Sequence, residues 1–192
     1  MVDHVVTRAG ASGFTLVEML VTLVVAVTLL TLAGPGFQDL VLNNRLTVAS
    51  NGLAGTLNAA RSEAIAQQRT VTVCASSNGS ACTGTWSEGW ISFIDVDSDG
   101  TVDAGDTILR RGQPVNATVD VSLVDAVRVR YGGQGFALPN SAGHFALCDD
   151  RGAGHAKALI VAATGRVVVA TDTDATPDGI VDDADGDNVV CP

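Results

Sequence analysis

Charge is scarce in this sequence. Only 17% of its 192 residues are charged, and only 11 of them are Lys or Arg. So few bases beside 21 acids exclude a bulk nucleic-acid binder, because a duplex repels a net anion. The low charged fraction also stands against 46% apolar residues. That balance excludes a disordered acidic chain, since this much apolar surface can bury a core. There is no internal repeat and no Pro-rich linker, so nothing in the composition calls for a second globular domain. No Cys pair has the close spacing of a zinc site, and the His residues sit elsewhere.

The acid that is present is concentrated. The formal charge is −10, yet Asp95 to Asp106 holds five Asp and Asp172 to Asp187 holds seven, with no Lys or Arg in either stretch. Without those twelve, nine acids face eleven bases, a balance of +2. The acidity belongs to two local segments, and each needs its own explanation.

The N-terminus carries the strongest pattern. From Phe14 to Ala33 the chain is apolar except for Thr15, Glu18, Thr22, Thr28 and Thr31. Twenty helical residues reach roughly 30 Å, enough to span a bilayer core. Arg8, in the short leading segment, favours a cytoplasmic N-terminus. Glu18 is the anomaly, because a carboxylate inside an apolar helix costs about 2.5–3.5 kcal/mol even on the lenient insertion scale. No cation lies within one helical turn of it. A secretory signal peptide ending near Thr31-Leu32-Ala33 would have a shorter apolar core without an acid near its start. A plain membrane anchor leaves Glu18 unexplained.

The segment Gly13-Phe14-Thr15-Leu16-Val17-Glu18 resembles the processing site of type IV pilins and type II secretion pseudopilins. The resemblance implies that a prepilin peptidase cuts between Gly13 and Phe14, and that the new N-terminal Phe is methylated. It implies that Glu18 meets the N-terminal amine of a neighbouring subunit. The physics agrees, since the missing partner of a carboxylate in an apolar setting can come from another chain.

Gly34-Pro35-Gly36 interrupts the apolar run, and Pro within a helix removes a hydrogen bond, so a kink is expected there. Beyond it, Leu42, Leu46, Ala49, Leu53, Leu57, Ala60 and Ala64 recur at spacings of three and four, an amphipathic helix to about Gln68. Its other face carries Asn43, Asn44, Arg45, Asn51, Asn58 and Arg61. Ala60-Arg61-Ser62-Glu63-Ala64-Ile65, followed by Thr70-Val71-Thr72-Val73-Cys74, resembles the FimT/GspH group of minor pilins, and Asn44-Arg45-Leu46 and Gly89-Trp90 fit the same pattern. The resemblance covers Gly13 to about Ile94. Beyond that it rests on the first acidic segment, Phe145-Ala146-Leu147-Cys148 and Gly165-Arg166. The Ala-Arg-Ser-Glu-Ala segment leading into Val-Thr-Val-Cys leans to the FimT side.

From Arg69 the helical period gives way to short β-branched runs bounded by Gly, Asn and Asp. Candidate strands are 69–76, 89–95, 106–111, 118–124, 126–131, 134–138, 143–148, 157–163 and 166–171, with a tight turn at Thr164-Gly165. So many short strands suggest two packed antiparallel sheets, with the long helix covering one sheet face. The resemblance implies an α+β, type IV pilin-like fold. The expected organisation is a leader at 1–13, a long helix at 14–68 with a transmembrane part at 14–33, and a β-rich head at 69–192 ending in an acidic tail.

All four Cys follow the membrane segment, which fits an oxidising periplasmic or extracellular setting. Three pairings are possible. Cys74 with Cys82 and Cys148 with Cys191 is favoured, a local loop and a pin for the tail. By chain entropy these contribute about 2.6 and about 4 kcal/mol.

Asp95-Val96-Asp97-Ser98-Asp99-Gly100-Thr101-Val102-Asp103-Ala104-Gly105-Asp106 matches a twelve-residue calcium loop. Asp95, Asp97, Asp99, Asp103 and Asp106 take ligand places, Thr101 offers its carbonyl, and Gly100 stands where a sharp turn is needed. Asp106 is shorter than the usual Glu, and the flanks read as strands, so Ca2+ would sit in a loop between strands. The second segment fits less well. Asp174, Thr176, Asp178, Gly179, Ile180, Asp182 and Asp185 have the spacing, but Thr176 replaces an acid and Pro177 intrudes. Asp172, Asp183 and Asp187 would contribute in another register, and a solvated tail pinned by Cys191 is the favoured account of this segment.

Some FimT-like pilins are associated with DNA uptake through a Gly-Arg-x-Arg motif. Here the matching residues are Gly165-Arg166-Val167-Val168, so the second Arg is absent. Arg128 and Arg130 alternate with apolar residues and would share a strand face, with Arg151 and Lys157 as further candidates. Any DNA binding through them would be weak and steeply salt-dependent. His144 and His155 flank Cys148, but a bridged Cys148 is no nucleophile and no third orienting group is evident, so no enzyme is expected.

The resemblance implies a non-catalytic minor pilin for type IV pilus assembly. It would pass once through the inner membrane with a periplasmic head, and its partners would be prepilin peptidase and other pilins. The alternatives are a GspH-like minor pseudopilin of type II secretion and a membrane-tethered module for DNA or a surface ligand.

Overall fold

The structure is a computed structural model that describes residues 13–192, with backbone alone at 32–35. Most of the expected leader, residues 1–12, lies outside the described residues. The chain divides into two compact units that meet between Val41 and Leu42.

Helix α1 runs from Leu16 to Gln67. Its first turn is capped by Thr15, whose Oγ1 accepts the Glu18 backbone N–H at 3.2 Å. The apolar side chains from Phe14 to Leu30 are exposed within the chain. This stretch is long and apolar enough to cross a membrane. The helix is one uninterrupted element through Gly34-Pro35-Gly36. Pro35 has no backbone N–H, so the helix forgoes one bond at that turn.

From Leu42 onward α1 belongs to the head. The three-and-four spacing places Leu46, Ala49, Leu53, Leu57, Ala60 and Ala64 on one buried stripe, while Leu42 is half-buried. Strands follow as β1 (Thr70–Ala75), β2 (Trp90–Asp95), β3 (Thr107–Gly112), β4 (Asp120–Val124), β5 (Val129–Tyr131), β6 (Gly143–Cys148), β7 (Lys157–Val161) and β8 (Val167–Val169). They form two four-stranded antiparallel sheets, ordered β3-β2-β1-β5 and β4-β6-β7-β8.

The strand period of two sorts the residues. Val71 and Val73 of the first sheet, and Phe145, Leu147, Leu159 and Val161 of the second, join the helix stripe in one core. Trp86 meets Phe145 edge-on there, with ring centroids 4.7 Å apart. The alternate residues Cys74, Ile91 and Phe93 face the other side of the first sheet. On the outer face of the second sheet, Ala146, Cys148 and Ala158 pack under Ala170 and Val189 of the C-terminal segment.

The expected strand at 134–138 is not formed. Gly135 takes φ +80° and its N–H bonds to the Gly132 carbonyl at 2.7 Å. The chain turns there, leaving a single bridge between Tyr131 and Ala137.

Polar pins hold the helix in place. Trp90 donates its indole N–H to Thr56 Oγ1 at 3.0 Å, and Arg45 donates to Thr118 Oγ1 at 3.2 Å. Arg61 donates to the carbonyls of Gly135 at 2.8 Å and Thr164 at 3.3 Å. These two turns come so close that a Cβ on Gly165, itself at φ +78°, would lie 2.0 Å from the Gly135 oxygen. Arg151 pairs with Asp149 at 2.7 Å and reaches Asn43 on the helix at 2.9 Å.

Arg151 hydrogen bonds hold the Asp149 carboxyl below the ordinary carboxylate range. A carboxyl depressed in the folded state stabilises above its unfolded pKa of about 4 and loses that contribution as pH falls through the folded value. Thermal unfolding of wild type and Arg151→Gln from pH 7 to pH 2 checks this. The Tm gap should be widest at neutral pH and should close below about pH 4. A gap constant across the range would reject the pairing as a source of stability.

Candidate functional site

Three places carry the residues singled out by the sequence. At the N-terminus, Gly13 and Phe14 precede the helix cap, so the expected cleavage point falls in non-helical backbone just before α1. Glu18 lies in the first turn with an exposed side chain, and its carboxylate has no bonding partner among the described residues.

The second place is the loop between β2 and β3. Asp95 ends β2 and is only 1% exposed. Its Oδ2 accepts from Thr72 Oγ1 at 2.6 Å and from the Gly100 N–H at 3.0 Å. Its Oδ1 is buried with no hydrogen-bond partner among the described residues. Ser98 and Gly100 both adopt positive φ, 63° and 81°, which folds the loop back on itself. Asp95, Asp97 and Asp99 thereby bring one carboxylate oxygen each to within 4.8 Å of one another.

The other expected ligands are less uniform. Asp106 closes the loop instead, accepting from the Val96 N–H at 3.0 Å and the Asp103 N–H at 3.1 Å. Thr101 donates its backbone N–H and hydroxyl to Asp99, which with the Arg128 charge holds Asp99 below its ordinary pKa. Asp103 is pushed up by desolvation and then by the charges of Asp106, Asp97, Asp99 and Asp95. Three converging hard oxygens, on a loop where Asp95 also buries an oxygen without a partner among the described residues, suit a cation of the calcium class.

The third place is the arginine set. Arg128 and Arg130 do share a side, and that side faces the acidic loop. Arg128 donates to the Gly100 carbonyl, and Arg130 donates to Ser98 O at 3.2 Å and Pro139 O at 3.1 Å. Their partners are loop carbonyls rather than carboxylates, a use that alternation along a strand does not reveal. Arg166 is exposed beside the β7–β8 turn, where its carbonyl accepts from the Ala162 N–H, and its side chain makes no polar contact among the described residues. Gly165, its neighbour, is accounted for by the close turn packing.

Both disulfides are present, Cys74–Cys82 and Cys148–Cys191, and no cysteine is free. Cys148 is therefore no thiol nucleophile. His144, buried in β6, lies 3.9 Å from Asp183. The second Asp-rich segment folds in a different register from its sequence spacing and brings Asp172, Asp174 and Asp182 together.

Comparison with known proteins follows the same two parts of the chain. A prokaryotic N-terminal methylation motif matches residues 8–34. The family described as type II transport protein GspH matches residues 49–165. Among solved structures, the chain resembles the type IV minor pilin FimU of Pseudomonas aeruginosa in two crystal forms. In the first, identity is 24% over 69% of this chain and 93% of that chain, with a TM-score of 0.55. In the second, identity is 21% over 68% and 96%, with a TM-score of 0.53. These likenesses establish the fold. No curated protein matches the chain. The GspH match spans more than half of the sequence, and the chain belongs to the GspH family of minor pilins and pseudopilins.

Proposed function

We propose that this protein is a FimT-like minor pilin, a non-catalytic subunit built into a type IV pilus. It is cut between Gly13 and Phe14, anchored in the inner membrane through residues 14–33, and carries its head, residues 69–192, in the periplasm. Glu18 carries this reading. A carboxylate in an exposed apolar helix, with no partner among the described residues, is stable in a filament core only if another chain supplies the counter-charge. The cleaved Phe14 amine of a neighbouring subunit is that charge.

The likeness to FimU, a type IV minor pilin, and the segment from Ala60 to Ala64 support the pilus. The description of the matched family, a type II transport protein, favours the pseudopilin as a second reading. The two part in cells: deletion removes pili under the first and blocks secretion under the second. A contribution to DNA uptake would fall on Arg166, since Arg128 and Arg130 are engaged with loop carbonyls. The loop at Asp95, Asp97 and Asp99 is read as a calcium site that stiffens the β2–β3 connection.

Replacing Glu18 with Ala should leave membrane insertion unchanged. It should lower filament incorporation about 10–100-fold, the equivalent of a charge-assisted hydrogen bond worth about 1.5–3 kcal/mol. Immunoblots of membrane and sheared-filament fractions measure both, and unimpaired incorporation counts against the paired carboxylate. For the calcium loop, Kd values near 10⁻⁴ M are typical of extracellular modules. At about 100 times Kd the ion adds about 2.7 kcal/mol, which for a chain of this size is a Tm rise of about 5–10 °C over chelator. Asp97→Asn, an exposed change that keeps an acceptor oxygen, should reduce the rise. An identical calcium response in wild type and Asp97→Asn would remove the site.

A further inference from the structure

The segment after β8 lies beyond residues 49–165, the span shared with the family. It has little regular structure, a lone bridge between Asp182 and Asn188, yet it covers the outer face of the second sheet through Ala170 and Val189. The disulfide at Cys191 holds its far end. No Lys or Arg occurs between Val167 and Pro192, while seven Asp do.

Five of those acids divide into two sets. Asp178 accepts from the Ile180 N–H and from Asn188 Nδ2, and Asp183 accepts from the N–H groups of Asp185 and Asp187. They stabilise local turns. Asp182 behaves differently. It is 1% exposed, and its Oδ2 accepts from the Thr173 N–H and hydroxyl, each at 2.6 Å. Its Oδ1 is buried with no hydrogen-bond partner among the described residues. Asp172 and Asp174 each bring a carboxylate oxygen to within 4.8 Å of it and of each other. Asp172 is held in place by the N–H groups of Asp174 at 3.2 Å and Gly179 at 2.8 Å. The crowding is felt at Asp174, which is pushed above its ordinary pKa by the charge of Asp182 first.

A buried carboxylate with one oxygen lacking a donor among the described residues, set beside two more carboxylates, is an unfavourable arrangement unless a cation completes it. We propose that Asp172, Asp174 and Asp182 hold a second divalent cation, of the calcium class, that orders the C-terminal segment over the outer face of the second sheet. The donor set is all oxygen, with no Cys or His, which selects hard cations over zinc or copper. Carboxylates on an irregular loop suit the flexible coordination of calcium better than the strict octahedron of magnesium. The site stands apart from the β2–β3 loop in chain position and sheet. Its register, Asp172, Asp174 and Asp182, is not that of a twelve-residue loop template.

The test uses the full chain purified in detergent and stripped with chelator. Calcium, and separately magnesium, is titrated by calorimetry, and amide exchange is followed across residues 171–190. Partners one step removed from a metal are already worth about 10–100-fold, so losing a direct carboxylate should weaken binding at this site by about tenfold or more. Wild type should gain calcium-dependent protection of 171–190 that magnesium does not reproduce. Asp97→Asn should keep that protection. Asp174→Asn should lose it, and so should Asp182→Asn. Asp174 is exposed and its side chain makes no hydrogen bond among the described residues, so its variant decides the matter if Asp182→Asn fails to fold. Any of these results would overturn the proposal: protection unchanged between calcium and chelator, protection intact in Asp174→Asn, or equal protection by magnesium. Loss of all binding in Asp97→Asn would assign every ion to the first loop and reject this one.

Discussion

The head depends on one contact surface, the apolar stripe of α1 from Leu46 to Ala64. The two sheets share no strand. What joins them is that both turn their inner residues onto this stripe, Val71 and Val73 from one and Phe145, Leu147, Leu159 and Val161 from the other. Each fully buried Leu contributes about 1.5–3 kcal/mol by leaving water, and Leu46, Leu53 and Leu57 are all fully buried. Polar pins then fix the register of the helix. Thr56 on Trp90, Arg45 on Thr118 and Arg61 on two turns each tie a different part of the head to a defined helical position. The Ala-Arg-Ser-Glu-Ala segment owes its form to this arrangement, because its Ala residues are buried at the stripe and its Arg clasps the turns at Gly135 and Thr164.

Three carboxylates depart from this internal completeness. Glu18 stands in an apolar helix, and Asp95 and Asp182 each bury one oxygen without a donor. In a chain whose other buried acid, Asp149, is matched by Arg151, these exceptions share a direction. Each calls for a positive charge the described residues do not supply. The form of the missing charge follows from the surroundings. Glu18 is alone in an apolar stretch, which suits one amine from another chain. Asp95 and Asp182 are each ringed by further carboxylates, which suits a divalent ion.

Much of this was legible in the sequence where the governing interactions are local. The helix stripe follows from spacing alone, and the hairpin strands follow from alternation. The register of Asp95, Asp97 and Asp99 follows from Gly100, which permits the tight return of the loop. What was not legible depends on contacts distant in sequence. Residues 134–138 have strand-like side chains, but the approach of Gly135 to Gly165 and Arg61 makes them turn. Asp106 fits a ligand position on spacing and instead satisfies backbone donors at both ends of its loop. Asp182 is distinguished from its six acidic neighbours by its burial and by Thr173, and no pattern within the segment marks it.

The sparse charge of the chain gains a mechanical meaning from these placements. The twelve acids lie in the β2–β3 connection and in the segment after β8, and outside them the protein is nearly balanced. Two divalent cations at the two clusters would bring the formal charge from −10 to −6. In a filament, heads of like charge lie close to one another, and at physiological salt charges repel over about 8 Å. Neutralising the loops therefore acts twice. It relieves the repulsion inside each loop, which sets whether the loop holds its shape. It also lowers the repulsion between neighbouring heads, which sets how closely they pack. The same ions that order the surface of one subunit would ease its contact with the next, and that coupling follows from placing nearly all of the net charge in two short loops.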